Sequence, residues 1–199
     1  MEVLPATSVT RIEIQCRELR IYGLTGVFAF TSVSQDKNRP RHQKGIYKMN
    51  TDYKLLVQQA EALVQGVPHL TANLANISAL LYTSLEDINW AGFYLTEGSM
   101  LVLGPFQGNP ACVEIQYGKG VCGTAAATDR AQLVPDVHAF KGHIACDSAS
   151  RSEIVIPIHQ NGAVVGVLDI DSPSLERFTE EDLEGLQELV IMLEKKVFH

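Results

Sequence analysis

The chain has 199 residues, 46% of them hydrophobic, which is enough for one globular domain with a full core and a short appendage. Its formal net charge of −7 is unevenly spread: residues 1–48 carry eight Lys/Arg and four Asp/Glu, leaving eight basic and nineteen acidic residues for the rest. A body that acidic argues against nucleic acid or an anionic membrane as its main partner.

In the first segment, Arg11, Arg17 and Arg20 precede a run of apolar residues mixed with Gly and Thr at residues 21–33. The run faintly resembles the start of a signal peptide, but it is too short to span a membrane and lacks the usual small-residue cleavage site. Residues 34–44 are polar and read as disordered. Met49 opens a clean globular sequence. The expectation is therefore that residues 1–48 are an N-terminal extension, disordered or the product of an upstream start codon, and that residues 49–199 form the functional domain.

Residues 53–65 predict a helix with Leu56, Ala60, Leu63 and Val64 on one stripe and Gly66 at its end. Pro68 suits the first turn of a second helix, along which Leu70, Leu74, Ile77, Leu81 and Leu85 recur at helical spacing. The period then becomes two: Trp90, Gly92 and Tyr94 share one strand face, and Ala91, Phe93 and Leu95 share the other. Residues 100–106 complete a hairpin across Glu97-Gly98-Ser99. After a short strand at residues 113–117, Gly118-Lys119-Gly120-Val121-Cys122-Gly123 matches a dinucleotide fingerprint. No βαβ series surrounds it, so a tight strand-to-helix turn is preferred. That places Cys122 near a helix N-terminus, which predicts a lowered thiol pKa.

Residues 132–134 lead into a long loop containing His138, His143, Cys146 and Asp147, and loops of that length are usually functional or disordered. Strands at residues 153–159 and 163–171 flank Asn161-Gly162, a strong hairpin signal. Simple alternation puts Val165, Val167, Asp169 and Asp171 on one face, with the two acids roughly 7 Å apart. Carboxylates on an apolar face are costly unless hydrogen-bonded or protonated, so the pair is a candidate acid or a clamp for an ammonium group. A strict two-residue turn would set Glu153 beside Ile170, facing away from Asp169. An irregularity near Pro157, shifting the register by one, would bring Glu153 opposite Asp169. Finally, Thr179 should cap a helix that buries Leu183, Leu186, Val190, Leu193 and Val197.

The four cysteines are Cys16, Cys112, Cys122 and Cys146. None of their spacings suits a structural zinc site, and a chain of this length needs no disulfide staple. Cys146 lies in Gly142-His143-Ile144-Ala145-Cys146-Asp147, a loop of small and polar residues. A thiol there is placed to react, with Cys112 and Cys122 as potential partners.

The order of elements resembles a GAF domain: an α+β fold whose central antiparallel sheet of about six strands is flanked by helices. The segments Asp87-Ile88-Asn89-Trp90-Ala91-Gly92-Phe93-Tyr94, Leu103-Gly104-Pro105-Phe106-Gln107-Gly108, Gly120-Val121-Cys122-Gly123-Thr124, Gly142-His143-Ile144-Ala145-Cys146-Asp147 and Gly166-Val167-Leu168-Asp169-Ile170-Asp171-Ser172 closely resemble the free methionine-(R)-sulfoxide reductases. The resemblance runs from about Met49 to the C-terminus and leaves residues 1–48 outside it. It implies reduction of free methionine (R)-sulfoxide, with Cys146 as nucleophile and Cys112 and Cys122 as resolving or auxiliary thiols. The order of attack between Cys122 and Cys146 stays open. Glu153 or Asp171 would supply the proton, and Trp90, Tyr94, Asp169 and Asp171 would hold the substrate. The sulfenic acid left on Cys146 would pass to a disulfide with Cys112, reopened by thioredoxin. The resemblance calls for no metal and no bound cofactor; a cytoplasmic location is expected, and a homodimer is left open. The alternative is a GAF sensor that binds a small ligand without turnover.

Overall fold

The computed structural model describes residues 51–142 and 148–199. The expectations for residues 1–48, and those for His143, Cys146 and Asp147, lie outside the described residues. Helix α1 (Tyr53–Val64) starts where the Asp52 side chain accepts a hydrogen bond from Leu55 N, at 3.0 Å. It buries Leu56, Ala60 and Val64, four residues apart, while Leu63 falls off the stripe and is 41% exposed. Gly66 follows the helix at φ +73, the left-handed conformation that ends helices. Helix α2 (Leu70–Ser84) buries Leu74, Ile77 and Leu81. Its N-cap is His69, so Pro68 stands just outside the helix instead of in its first turn. Helix α4 (Glu180–Lys196), the last element, opens with a capping box between Thr179 and Asp182. Tyr53 Oη donates to Asp182 Oδ1 at 2.6 Å, tying α1 to α4.

The strands are β1 (Trp90–Glu97), β2 (Met100–Gly108), β3 (Glu114–Gln116), β4 (Gln132–Val134), β5 (Ser152–Gln160) and β6 (Ala163–Ser172). They form a six-stranded sheet in the order β3-β2-β1-β6-β5-β4, with every neighbouring pair antiparallel. Alternation divides the sheet's side chains between two cores. Ala91, Phe93, Ile154, Ile156, Leu168 and Ile170 join the buried faces of α1, α2 and α4. Trp90, Tyr94, Val155 and Val167 face the other way, toward the short helix α3 (Gly120–Thr128). The glycine-rich motif is the expected strand-to-helix turn: Gly118 N donates to Gly123 O at 2.7 Å. A Cβ on Gly123 would lie 2.3 Å from Gln116 O, so strand end and helix start can meet only at a glycine.

The β5–β6 hairpin turns at Asn161 (φ +52) and Gly162 (φ +76), two left-handed residues that match the twist of the strands. Gln160 pairs with Ala163 and His159 with Val164, but Ile158 pairs with Gly166, leaving Val165 as an extra residue in β6. The expected irregularity therefore exists, between Ile158 and His159 instead of at Pro157. Because the extra residue is in β6, the register moves opposite to the expected direction: Glu153 pairs with Asp171, and Val155 with Asp169. The bulge also moves Val165 to the Leu168 and Ile170 side, off the face it was expected to share with Val167. Among the described residues, no helix is long and apolar enough to cross a membrane.

Candidate active site

The face toward α3 is organised in rows across the strands. Trp90, Asp171, Glu153 and Val134 are successive partners in one row, and Gly92, Asp169 and Val155 in the next. Direct partners in an antiparallel sheet share a face, so both rows point at α3. Gly92 contributes no side chain, and a Cβ there would lie 2.4 Å from Phe106 Cβ and 2.8 Å from the Trp90 ring. The space lets Phe106 stack on Trp90 at 5.2 Å between ring centroids, and Tyr94 also stacks on Trp90, at 5.9 Å. Phe106 was not among the sequence-derived site residues, although it lies in the Leu103–Gly108 segment that carried part of the resemblance. Both polar tips of the wall are tied down: Trp90 Nε1 donates to Asn109 O at 3.2 Å, and Tyr94 Oη to Cys112 O at 3.0 Å.

Next to the aromatic wall, the ligand atoms of Cys122, Glu153 and Asp169 all lie within 4.8 Å of one another, and all three residues are buried. Cys122 Sγ donates to Glu153 Oε1 at 3.7 Å, and Glu153 is also hydrogen-bonded to Asp169. Burial pushes the Glu153 carboxyl well above the usual range, and the charges of Asp169 and Asp171 push it further. Burial raises Asp169 to about 7, despite hydrogen bonds from Cys122 and Glu153 that pull it down. Glu153 thus holds its proton much more tightly than an ordinary carboxyl, and Asp169 is poised between its two forms near neutral pH. Asp169 Oδ1 is buried with no hydrogen-bond partner, an acceptor left without a donor in a place where that is costly. Asp171, half-buried, faces both Trp90 and Glu153.

The expectation of a lowered Cys122 pKa is overturned. Cys122 is the third residue of α3, as foreseen, but its thiol is pushed well above the ordinary value by burial first, then by Asp169 and Glu153. A helix N-terminus favours a negative charge by about 0.3–1 kcal/mol, less than one pKa unit. Burying a thiolate beside carboxylates costs several kcal/mol, so burial wins. Cys122 is a free cysteine, whereas Cys112 is disulfide-bonded, with its partner outside the described residues.

The loop that carries Cys146 is anchored close by at both of its described ends. Upstream, Gly120 N at the start of α3 donates to Gly142 O at 3.2 Å. Downstream, buried Ser150 accepts from Asn89 Nδ2 at 3.1 Å, and Asn89 adjoins Trp90. Ser152 Oγ donates to Ser174 O at 2.7 Å, and Arg151 N to Ser172 O at 2.7 Å, fixing the entry to β5. Sequence reasoning missed these serines, since each bonds a residue more than twenty positions away. His138, noted in the same loop, is exposed, and its backbone N–H donates to Asp136 Oδ1 at 2.9 Å. Among the described residues, Cys122, Glu153 and Asp169 form the one group with the ligand types and closeness to hold a metal ion. At neutral pH a metal would first have to displace protons from Cys122 and Glu153.

A six-stranded antiparallel sheet with long helices on one face and a short helix on the other has the architecture of a GAF domain, and the GAF domain model matches residues 60–197. The chain is 57% identical over 143 residues to the free methionine-R-sulfoxide reductase of Escherichia coli (strain K12), a match covering 72% of this chain and 87% of that protein. Among solved structures, fRMsr of Staphylococcus aureus in complex with substrate is 54% identical with a TM-score of 0.71, covering 74% of this chain and 96% of that one. Free methionine-R-sulfoxide reductase from Neisseria meningitidis, in complex with its substrate, is 45% identical with a TM-score of 0.70, covering 72% and 87%. The chain belongs to the free methionine-R-sulfoxide reductase family of GAF domains.

Proposed function

We propose that this protein reduces free methionine (R)-sulfoxide to methionine with electrons from its own thiols, and that thioredoxin restores them. The observation that carries the reading is the buried acid cluster beside the aromatic wall, with Asp169 Oδ1 lacking a donor. A free amino acid brings a positive ammonium group that such an acceptor can bind, and a thioether arm that packs on Trp90 and Tyr94. An internal methionine of a protein has an amide in place of that ammonium, which accounts for a free substrate.

The reduction follows from these parts. The Cys146 thiolate attacks the sulfoxide sulfur while Glu153, whose proton affinity burial raises well above the usual range, protonates the oxygen. Methionine leaves, and Cys146 carries the oxygen as a sulfenic acid, having lost two electrons. The Cys112 thiol then attacks the Cys146 sulfur, water departs, and a disulfide closes. That Cys112 is disulfide-bonded while Cys122 is free supports this choice of resolving thiol. Exchange with the dithiol of thioredoxin returns both cysteines to the reduced form. Asp171 shares its row with Trp90 and Glu153 and completes the substrate-binding set.

A thioredoxin-coupled assay tests the reading, comparing R with S epimers and free with peptide-bound sulfoxide. Turnover is expected on the free R epimer, lost in Cys146→Ser. Equal activity on peptide-bound sulfoxide would remove the ammonium argument, and unchanged turnover in Cys146→Ser would remove the nucleophile.

A further inference from the structure

The proposed reaction uses Cys146 and Cys112 and leaves unexplained a third thiol, buried in the middle of the acid cluster. A resolving cysteine must reach a sulfenic acid and later meet an external dithiol. Cys122 is only 4% exposed, and its S–H is directed at a carboxylate oxygen of Glu153. An inert core cysteine would pack among apolar groups. Cys122 packs in the second apolar core, yet its sulfur also lies within 4.8 Å of two carboxyls and donates to one of them. The S–H group is a weak donor, and here it meets an oxygen of the acid that protonates the substrate.

We propose that Cys122 is a positioning residue that never enters the redox cycle: its S–H holds the Glu153 carboxyl in place and keeps its proton transferable. The inference rests on the proposed role of Glu153. The bond from Cys122 favours the carboxylate form of Glu153, opposing burial and the charges of Asp169 and Asp171. Without that donor Glu153 would grip its proton more tightly and give it up less readily. Helix α3 is what brings the thiol there: Gly123, packed against Gln116 O, sets the start of the helix close to the sheet, with Cys122 one residue away. Asp169, Asp171, Tyr94 and Cys122 face Glu153 from β6, β1 and α3, so its proton affinity reflects all of them.

The test compares Cys122→Ser and Cys122→Ala in the full chain by the pH dependence of kcat in the thioredoxin-coupled assay. Alanine removes the donor; the alkaline limb should rise by about half a pH unit to one unit, with kcat down about threefold to tenfold. Serine supplies a hydroxyl donor and should recover most of the rate and return the limb toward its original position. Equal loss of multiple turnover in both variants, with one methionine still released per chain in a single turnover, would show a resolving thiol and overturn the proposal. An unmoved limb in Cys122→Ala would reduce Cys122 to packing and overturn it too. A second readout needs no substrate: the infrared S–H stretch of the reduced protein should move to higher frequency in Glu153→Ala. A band that stays put refutes the bond, whereas a wild type inactive on free sulfoxide with the band shifted would fail only the proposed reaction.

Discussion

Strand β5 carries an acid cluster at each end, and the two are built on opposite principles. At its far end His159 stands between two carboxylates: Nδ1 meets Glu194 Oε1 and Nε2 meets Asp129 Oδ1, each at 2.7 Å. Burial would lower the His159 pKa, but its bonds to Asp129 and Glu194 outweigh that and raise it. The cluster contains its own cation and is a finished structural joint between α3, β5 and α4. At the near end, Glu153 and Asp169 face a thiol and each other, with no cation in the cluster among the described residues. Both carboxyls hold protons more tightly than usual, and one oxygen is unpartnered. Acids that stabilise a fold come with a partner; acids that await a ligand leave one place open.

Substitutions at the two ends should therefore behave differently. The largest effect is expected from Glu153→Gln, which keeps shape and hydrogen bonding but removes the transferable proton. kcat should fall by about 10²–10⁴ with KM little changed, measured in the coupled assay. A loss confined to KM would move Glu153 from proton donor to substrate clamp.

Asp169→Asn should raise KM for free sulfoxide by about tenfold to a hundredfold, since it removes the charged partner of the ammonium. It should also stabilise the fold at neutral pH. Asp169 titrates near 7 when folded and near 3.8 in the ordinary state, so the folded form binds the proton more tightly. The wild type therefore loses stability as pH rises from the ordinary value through 7. The variant escapes that loss, worth at most about 4 kcal/mol at pH 8 and vanishing near pH 4. Denaturant melts at the two pH values measure the difference, and a variant less stable at pH 8 contradicts the strained-acid picture.

Gly92→Ala pushes a methyl group into Phe106 and should cost about 1–3 kcal/mol through overpacking. The same change should disturb the stacked wall, seen as an altered near-ultraviolet Trp90 signal and weaker substrate binding. The smallest effect is expected at the finished end. His159→Gln should leave kcat unchanged and lower the melting temperature only slightly. Because the folded pKa of His159 is raised, its contribution is full below about 6.5 and fades as pH rises through the folded value. A deficit that grows on the alkaline side would contradict the ion-paired joint.

The alternation of Trp90, Gly92 and Tyr94 was legible because β-strand period is a local property, and so were the Asn161-Gly162 turn and the helical stripes. The sequence also singled out Glu153, Asp169 and Asp171, through their place on or beside apolar strands. What it left undetermined depended on partners distant along the chain. The direction of the register shift turned on whether β5 or β6 took the extra residue. The Cys122 pKa was misjudged because its helix N-terminus is visible locally, whereas Glu153 and Asp169 arrive from strands more than thirty positions downstream. The His159 joint went unseen for the same reason, its partners being 30 and 35 residues away.

The extra residue at Val165 makes the hairpin count differently at its two ends. Near the tip, paired positions keep the parity set by the two-residue turn; past the bulge, odd and even have traded places on β6. Were Val165 paired in a regular ladder instead of bulged out, Ile170 would stand across from Glu153, and Asp169 and Asp171 would lie in the register of the opposite face. The acids keep their face because one aliphatic residue, packed against the other core, is left out of the pairing; deleting Val165 would straighten the ladder and still leave Glu153 opposite Asp171.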